Sequence, residues 1–143
     1  IPKRDWNSDV CSSDLGAPGP RAPSLPVFLD SVAAIQALRM DTVWPGHGAE
    51  PIAGPDAVAR LFERFAHHHA RRIARITRIV RATGATGAHA YDVVQAQFPH
   101  LPGERLGQAM TEAIGHLDVL HARGVVAPCT PPGNVQRYAI IAP

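Results

Sequence analysis

The stretch Trp44-Pro45-Gly46-His47-Gly48 is where this 143-residue chain sets a histidine up for chemistry. Asp41-Thr42-Val43-Trp44 reads as a short strand. Pro45 stops its pairing, and Gly46 and Gly48 let the backbone turn where a Cβ would clash. An imidazole held this way projects beyond the strand end, where ligands and metals sit on mixed α/β scaffolds. A neutral ring nitrogen there is suited to a metal ion.

The other chemically capable residues form weaker patterns. His67-His68-His69 falls inside a predicted helix, where consecutive side chains point about 100° apart, so no pair shares a face as an i, i+4 pair would. His69 belongs to the apolar stripe and His67 and His68 flank it, so the cluster lacks ligand spacing. Ser31 reads as a helix-start residue, because no histidine and acid are arranged around it. Asp41 has two readings, as a carboxylate orienting an imidazole or as an exposed loop residue, and the second is simpler. No glycine-rich phosphate loop with its lysine is present.

The elements that must carry these residues follow from periodicity. Asp30 to Leu38 reads as a helix ending near Arg39-Met40, and the four prolines between Gly16 and Pro26 argue against regular structure ahead of it. Ala49 to Pro55 is a second break, with Asp56 as the expected N-cap of a long helix to about Thr83. Its buried stripe is Val58, Leu61/Phe62, Phe65, His69, Ile73, Ile76 and Ile79/Val80. Arg60, Arg64, Arg71, Arg75 and Arg78 lie on another face. Residues 56–83 hold seven arginines against Asp56 and Glu63, a local net charge of +5.

Thr83 to Gly87 ends this helix, with glycine as cap and turn. His89 to Phe98 reads as a second helix, with Tyr91, Val94 and Phe98 facing inward. Glu104 to Ala122 reads as a third, with Leu106, Met110, Ala113/Ile114, Leu117 and Leu120 in the core and Gly124 after it. Val125–Ala127 and Gln136–Ile141 then make a hairpin. Three helices and a closing hairpin describe an α+β winged-helix-like unit.

Residues Phe28 to Ile52, with Pro45-Gly46-His47-Gly48 at their centre, resemble the last helix and strand of the metallo-β-lactamase αββα fold. In that family the same tetrapeptide supplies a histidine ligand of a two-metal site, so the resemblance makes His47 a metal ligand, with zinc the expected ion. The family's His-x-His-x-Asp-His motif does not occur here, and no histidine precedes His47. Catalytic zinc takes about three protein ligands and an open water position, and one histidine does not supply them. Residues 56–141 resemble the small winged-helix domain attached to a subgroup of these hydrolases, among them endoribonuclease-like and β-lactamase-like proteins. That subgroup's linking helix carries His-Arg-x-x-Arg-Glu. Here His68 and Arg72 keep the first and fifth places, while His69 and Ile73 replace the second and sixth.

The resemblance therefore implies two modules, 16–55 as an α/β remnant of the metal-binding domain and 56–143 as the winged-helix-like domain. The intact parent would use metal-activated water on an ester, thioester, lactam or phosphodiester, with a small molecule or RNA as substrate. The chain alone would be inactive. The winged-helix part would pack on the catalytic domain or mediate oligomerisation. The rival reading is a non-enzymatic winged-helix module that binds nucleic acid. The arginine face has three readings: a solvated surface, a docking face for the catalytic domain, or a track for RNA or another polyanion. DNA readout is disfavoured, because the third helical segment sets Glu104, Glu112 and Asp118 against Arg105 and Arg123.

Composition frames these readings. Apolar content of 45% and charged content of 18% suit a folded chain. A formal charge of +2 does not by itself point to nucleic acid. Twelve arginines and no lysine follow Gly16, whereas residues 1–15 hold the only lysine. That opening resembles the conceptual translation of a sequencing adapter ("DWSSDVCSSDL", with Asn7 in place of a serine), so the native reading is expected to begin near Gly16; the alternative is a natural disordered tail over 1–15. Cys11 falls in this stretch and Cys129 in a proline-rich loop, which suggests neither a disulfide framework nor a zinc knuckle. With no apolar run of membrane-spanning length and no signal-peptide pattern, a cytoplasmic protein without membrane association is expected.

Overall fold

The computed structural model describes residues 22–48, 50–130 and 135–141. The opening fifteen residues, with Cys11, lie outside them. Helix α1 spans Ser24–Gln36, beginning earlier than its prolines suggest. Pro26 sits in the first turn, where a backbone N–H has no intrahelical acceptor to lose. Ser31 is consequently in mid-helix rather than at the start, and its Oγ donates to the Val27 carbonyl at 2.8 Å.

Strands β1 (Thr42–Val43) and β2 (Ile52–Ala53) pair antiparallel, Thr42 opposite Ala53 and Val43 opposite Ile52. The second strand falls inside the stretch read as a break, since two residues are too few to show an alternating pattern. Gly54 N–H donates to the Asp41 carbonyl at 2.8 Å and closes the pair.

Helix α2 runs Pro55–Ala82, 28 residues, with Gly54 as its N-cap and Pro55 in its opening turn. Asp56 is thus not the cap. It lies in the first turn, where its carboxylate faces the positive end of the helix dipole. Val58, Ile76 and Val80 are buried along the expected stripe, and Leu61, Phe62, Phe65, His69, Ile73 and Ile79 are half-buried. Thr83 caps the end and Gly84 takes a positive φ of 56°.

Helix α3 (Ala90–Gln97) begins at a reciprocal cap. His89 Nδ1 accepts the Asp92 backbone N–H at 3.2 Å, and Asp92 Oδ2 accepts the His89 N–H at 3.1 Å. An acceptor Nδ1 makes the 3.2 Å approach of this nitrogen to Asp92 Oδ2 a by-product of the cap rather than an ion pair. Val93, Val94 and Gln97 are buried, whereas Tyr91 is 47% exposed. Tyr91 was expected to face inward, but Val93, Val94 and Gln97 set the buried face and leave Tyr91 about 110° round the helix from its centre. Helix α4 (Leu106–Ala122) follows a 3-10 turn at Gly103–Arg105.

Strands β3 (Val126–Pro128) and β4 (Tyr138–Ile140) form an antiparallel hairpin with Val126 opposite Ile140. Ala88 adds one antiparallel bridge to Tyr138, with both N–H···O distances 2.9 Å. Gly87, just before it, has φ 67°. A Cβ there would sit 2.5 Å from Cys129 Sγ and 2.8 Å from the Tyr138 carbonyl oxygen, so only glycine fits.

The core joins α2, α3, α4 and the hairpin through Ile76, Val80, Val93, Val94, Ala113, Leu117, Leu120 and Val126. Helix α1 lies across α4 at Gly115, where an added Cβ would come 3.0 Å from Leu25 Cβ. Absence of a side chain at Gly115 is what lets the two helices touch. Among the described residues, no helix is long and apolar enough to cross a membrane.

Candidate functional site

His47 is where its turn predicts, in the exposed segment between β1 and β2. Gly48 has φ 117°, the backbone state that favours glycine. Among the described residues, no group of three or more His, Cys, Asp or Glu side chains is placed to hold a metal. Among the described residues, the donors around His47 do not make up the set that a catalytic zinc takes. Beside the turn, Trp44 is 75% exposed, and Val27, Phe28, Ile35 and Leu38 leave large apolar surface on one side of α1. Phe28 is the exception among these in having a partner ring, Phe65, at 5.9 Å between centroids.

The densest polar cluster lies elsewhere, where α2 meets α3 and α4. His69 Nδ1 and His116 Nε2 are 3.2 Å apart, and His116 Nδ1 lies 2.7 Å from the Glu112 carbonyl oxygen. A carbonyl only accepts, so His116 Nδ1 carries a proton; with that ring neutral, its Nε2 accepts and His69 Nδ1–H donates to it. Burial is the main cause holding both pKa values below the ordinary histidine value. The neighbouring His116 and His68 push His69 further down while Glu112 opposes, and at His116 the hydrogen bond to the Glu112 backbone opposes the fall.

Arg72 completes the cluster. Its Nε lies 3.0 Å from Glu112 Oε1, its Nη1 donates to Gln97 Oε1 at 3.1 Å, and its guanidinium stands 5.3 Å from the Phe98 ring centroid. One cation thus clamps three helices. Beside His69 and His116 opens a cavity of about 410 Å³, lined also by Leu25, Phe28, Thr111 and Glu112. Periodicity placed His69 on the buried face of its helix, but it gave no hint of His116, which sits 47 residues away. Glu112 and His116 at i, i+4 on one helix were the available signal.

The expected arginine face is present but not uniform. Arg60, Arg64, Arg71, Arg75 and Arg78 are all exposed. Arg75, however, donates to the Gln97 carbonyl at 3.1 Å and so satisfies the C-terminal end of α3. His67 and His68 are exposed beside the stripe and, among the described residues, belong to no group of three or more donors placed to hold a metal. Cys129 is a free, exposed thiol.

No protein-family model and no curated protein matches this sequence. The chain is similar to a solved structure, the crystal structure of a β-lactamase domain protein from Burkholderia ambifaria, with a TM-score of 0.65 and 25% identity. The likeness covers 84% of this chain and 34% of that one, so the chain spans about a third of its neighbour's length. It agrees, at the level of the fold, with the β-lactamase-domain resemblance of the sequence.

Proposed function

We propose that this chain is the C-terminal part of a metallo-β-lactamase-fold hydrolase, in which His47 gives one metal donor and the rest of the domain gives the others. The observation that carries the reading is the likeness to a β-lactamase domain protein over most of this chain and only 34% of that one. The exposed Val27, Ile35, Leu38 and Trp44 side chains support it, because further parts of such a domain would cover apolar surface of this kind. In this reading residues 56–143 form a winged-helix-like attachment, a proposal supported by the helix order, the closing hairpin and the Ala88–Tyr138 bridge. Zinc is the expected ion, and an ester, thioester, lactam or phosphodiester the expected substrate.

The rival is a winged-helix module that binds nucleic acid without catalysis. Its usual reading element would be α4, and here α4 offers little to a groove. Gly115 to Leu120 are buried, and Glu112 is held by Arg72. The hydrolase reading therefore stands as the conclusion.

Two measurements test it. Purified chain supplied with zinc is expected to leave a chromogenic lactam, a thioester and an activated phosphodiester unhydrolysed; turnover abolished by His47→Ala would refute its inactivity. Coding sequence upstream is expected to carry His-x-His-x-Asp-His, and in that longer protein His47→Ala should lower the zinc retained on equilibrium dialysis. Unchanged zinc content would remove His47 from the metal site.

A further inference from the structure

We propose that the outer face of α2 is a binding track for the phosphodiester backbone of a nucleic acid, formed by Arg60, Arg64, Arg71 and Arg78. At 100° per residue these four fall within about 40° of one another around the helix. They point away from the Val58–Ile76–Val80 stripe that faces the core. Arg60 to Arg78 spans eighteen residues, about 27 Å of rise, so one strand would run several phosphates along the row.

The four are free to bind. All are exposed, and none has a hydrogen bond or ion pair among the described residues. This separates them from Arg72 and Arg75, which the fold has already used on Glu112, Gln97 and the end of α3. A shallow trough of about 700 Å³ lies beside Arg64 and Arg71, two of the four, and is lined also by Glu63, His67, His68, Arg72 and Arg75.

A face that served only solubility would mix both signs of charge, with acids placed four residues from the arginines. Past the first turn of α2, Glu63 is the single acid. Arg60 and Arg64 are instead a like-charged i, i+4 pair, as are Arg71 and Arg75, an arrangement that weakens a helix until an anion lies across it. A regular row of cations along one straight element matches a repeating row of phosphates better than the scattered carboxylates of an acidic protein. Guanidinium also grips phosphate oxygens in bidentate fashion. The contact is to the backbone and needs no base readout by α4, so it stands apart from the rival module above. It does not depend on the hydrolase reading either, since binding is measured without turnover.

The test is fluorescence anisotropy with the full chain and labelled probes of about 20 nucleotides: single-stranded RNA, the same sequence as single-stranded DNA, and a duplex. Four phosphate contacts on a single strand give a slope of log K against log salt of about −2.8, or about a 50-fold loss between roughly 50 and 200 mM salt. Arg64→Ala/Arg71→Ala should halve that slope to about −1.4. Arg105→Ala/Arg123→Ala removes the same charge from exposed positions elsewhere and should leave it unchanged; unaltered circular dichroism shows both variants folded. Comparable binding of all three probes supports pure backbone contact, and preference for one names the source of the phosphates. The proposal is overturned by absence of saturable binding at low salt, or by equal losses in the two double variants. Tighter binding to polyglutamate or anionic vesicles than to any nucleic acid also overturns it, assigning the face to an acidic protein or a lipid surface.

Discussion

Replacing Arg72 by alanine is the sharpest perturbation of the polar cluster, because one side chain holds partners on two other helices. The change strips the donor from Gln97 Oε1 at 3.1 Å, the cation from Glu112 Oε1 at 3.0 Å and the guanidinium from the Phe98 face at 5.3 Å. A hydrogen bond from a charged donor to a nearly buried amide is worth about 1.5 kcal/mol. The ion pair is discounted to about 1 kcal/mol, because its side chains remain 26% and 31% exposed. The ring contact adds about 0.5 kcal/mol, and release of the arginine's rotamers returns up to about 1 kcal/mol. The expected loss is about 2–3 kcal/mol in urea unfolding followed by circular dichroism, with an unchanged m-value. Arg72→Lys should recover only part of it, since an ammonium cannot make the fork to both partners. A double-mutant cycle with Glu112→Gln should give a coupling of about 1 kcal/mol. A loss under about 0.5 kcal/mol, or zero coupling, would refute the clamp.

Three further outcomes follow from the packing and titration of these elements. Both His69 and His116 titrate below their ordinary range, so near pH 6.5 the unfolded chain binds protons that the folded chain refuses. Stability is then full above that pH and falls as pH drops below it; a thermal midpoint that is flat from about pH 7.5 to 5.5, or one equally steep in His116→Leu, would contradict this. Gly115→Val should lift α1 from α4, costing about 1–3 kcal/mol and raising proteolysis near Leu25, because even a Cβ meets Leu25 at 3.0 Å. Gly87→Ala should destabilise by more than about 2 kcal/mol, since it combines φ 67° with a 2.8 Å approach to the Tyr138 carbonyl; a melting curve like that of the unmodified chain would show the turn to be relaxed.

Long periodic segments were the readable part. The stripe from Val58 to Val80 announced α2 because a 28-residue amphipathic helix repeats its pattern many times. The stripe of α4 and the two hairpin strands were also close to their expected places. Short elements gave less: β2 has two residues, and Pro26 hid the true start of α1 because a proline is tolerated in a first turn. Tyr91 was misplaced for a related reason, since an eight-residue helix leaves its inward face ambiguous.

Local chemistry was legible wherever it depends on neighbours in sequence. Pro45-Gly46-His47-Gly48 had to be an exposed turn, and the basic face of α2 followed from residue spacing on a helix. Which arginines stay free was not legible. Arg72 and Arg75 differ from Arg71 only in what α3 and α4 bring against them. The pairing of His69 with His116 was equally hidden, because a 3.2 Å contact between residues 47 apart is fixed by how two helices cross. Spacing along the chain sets where a side chain sits on its own helix. Partner, protonation and freedom to bind are set by the groups that packing brings to within a few ångströms, and those belong to other segments.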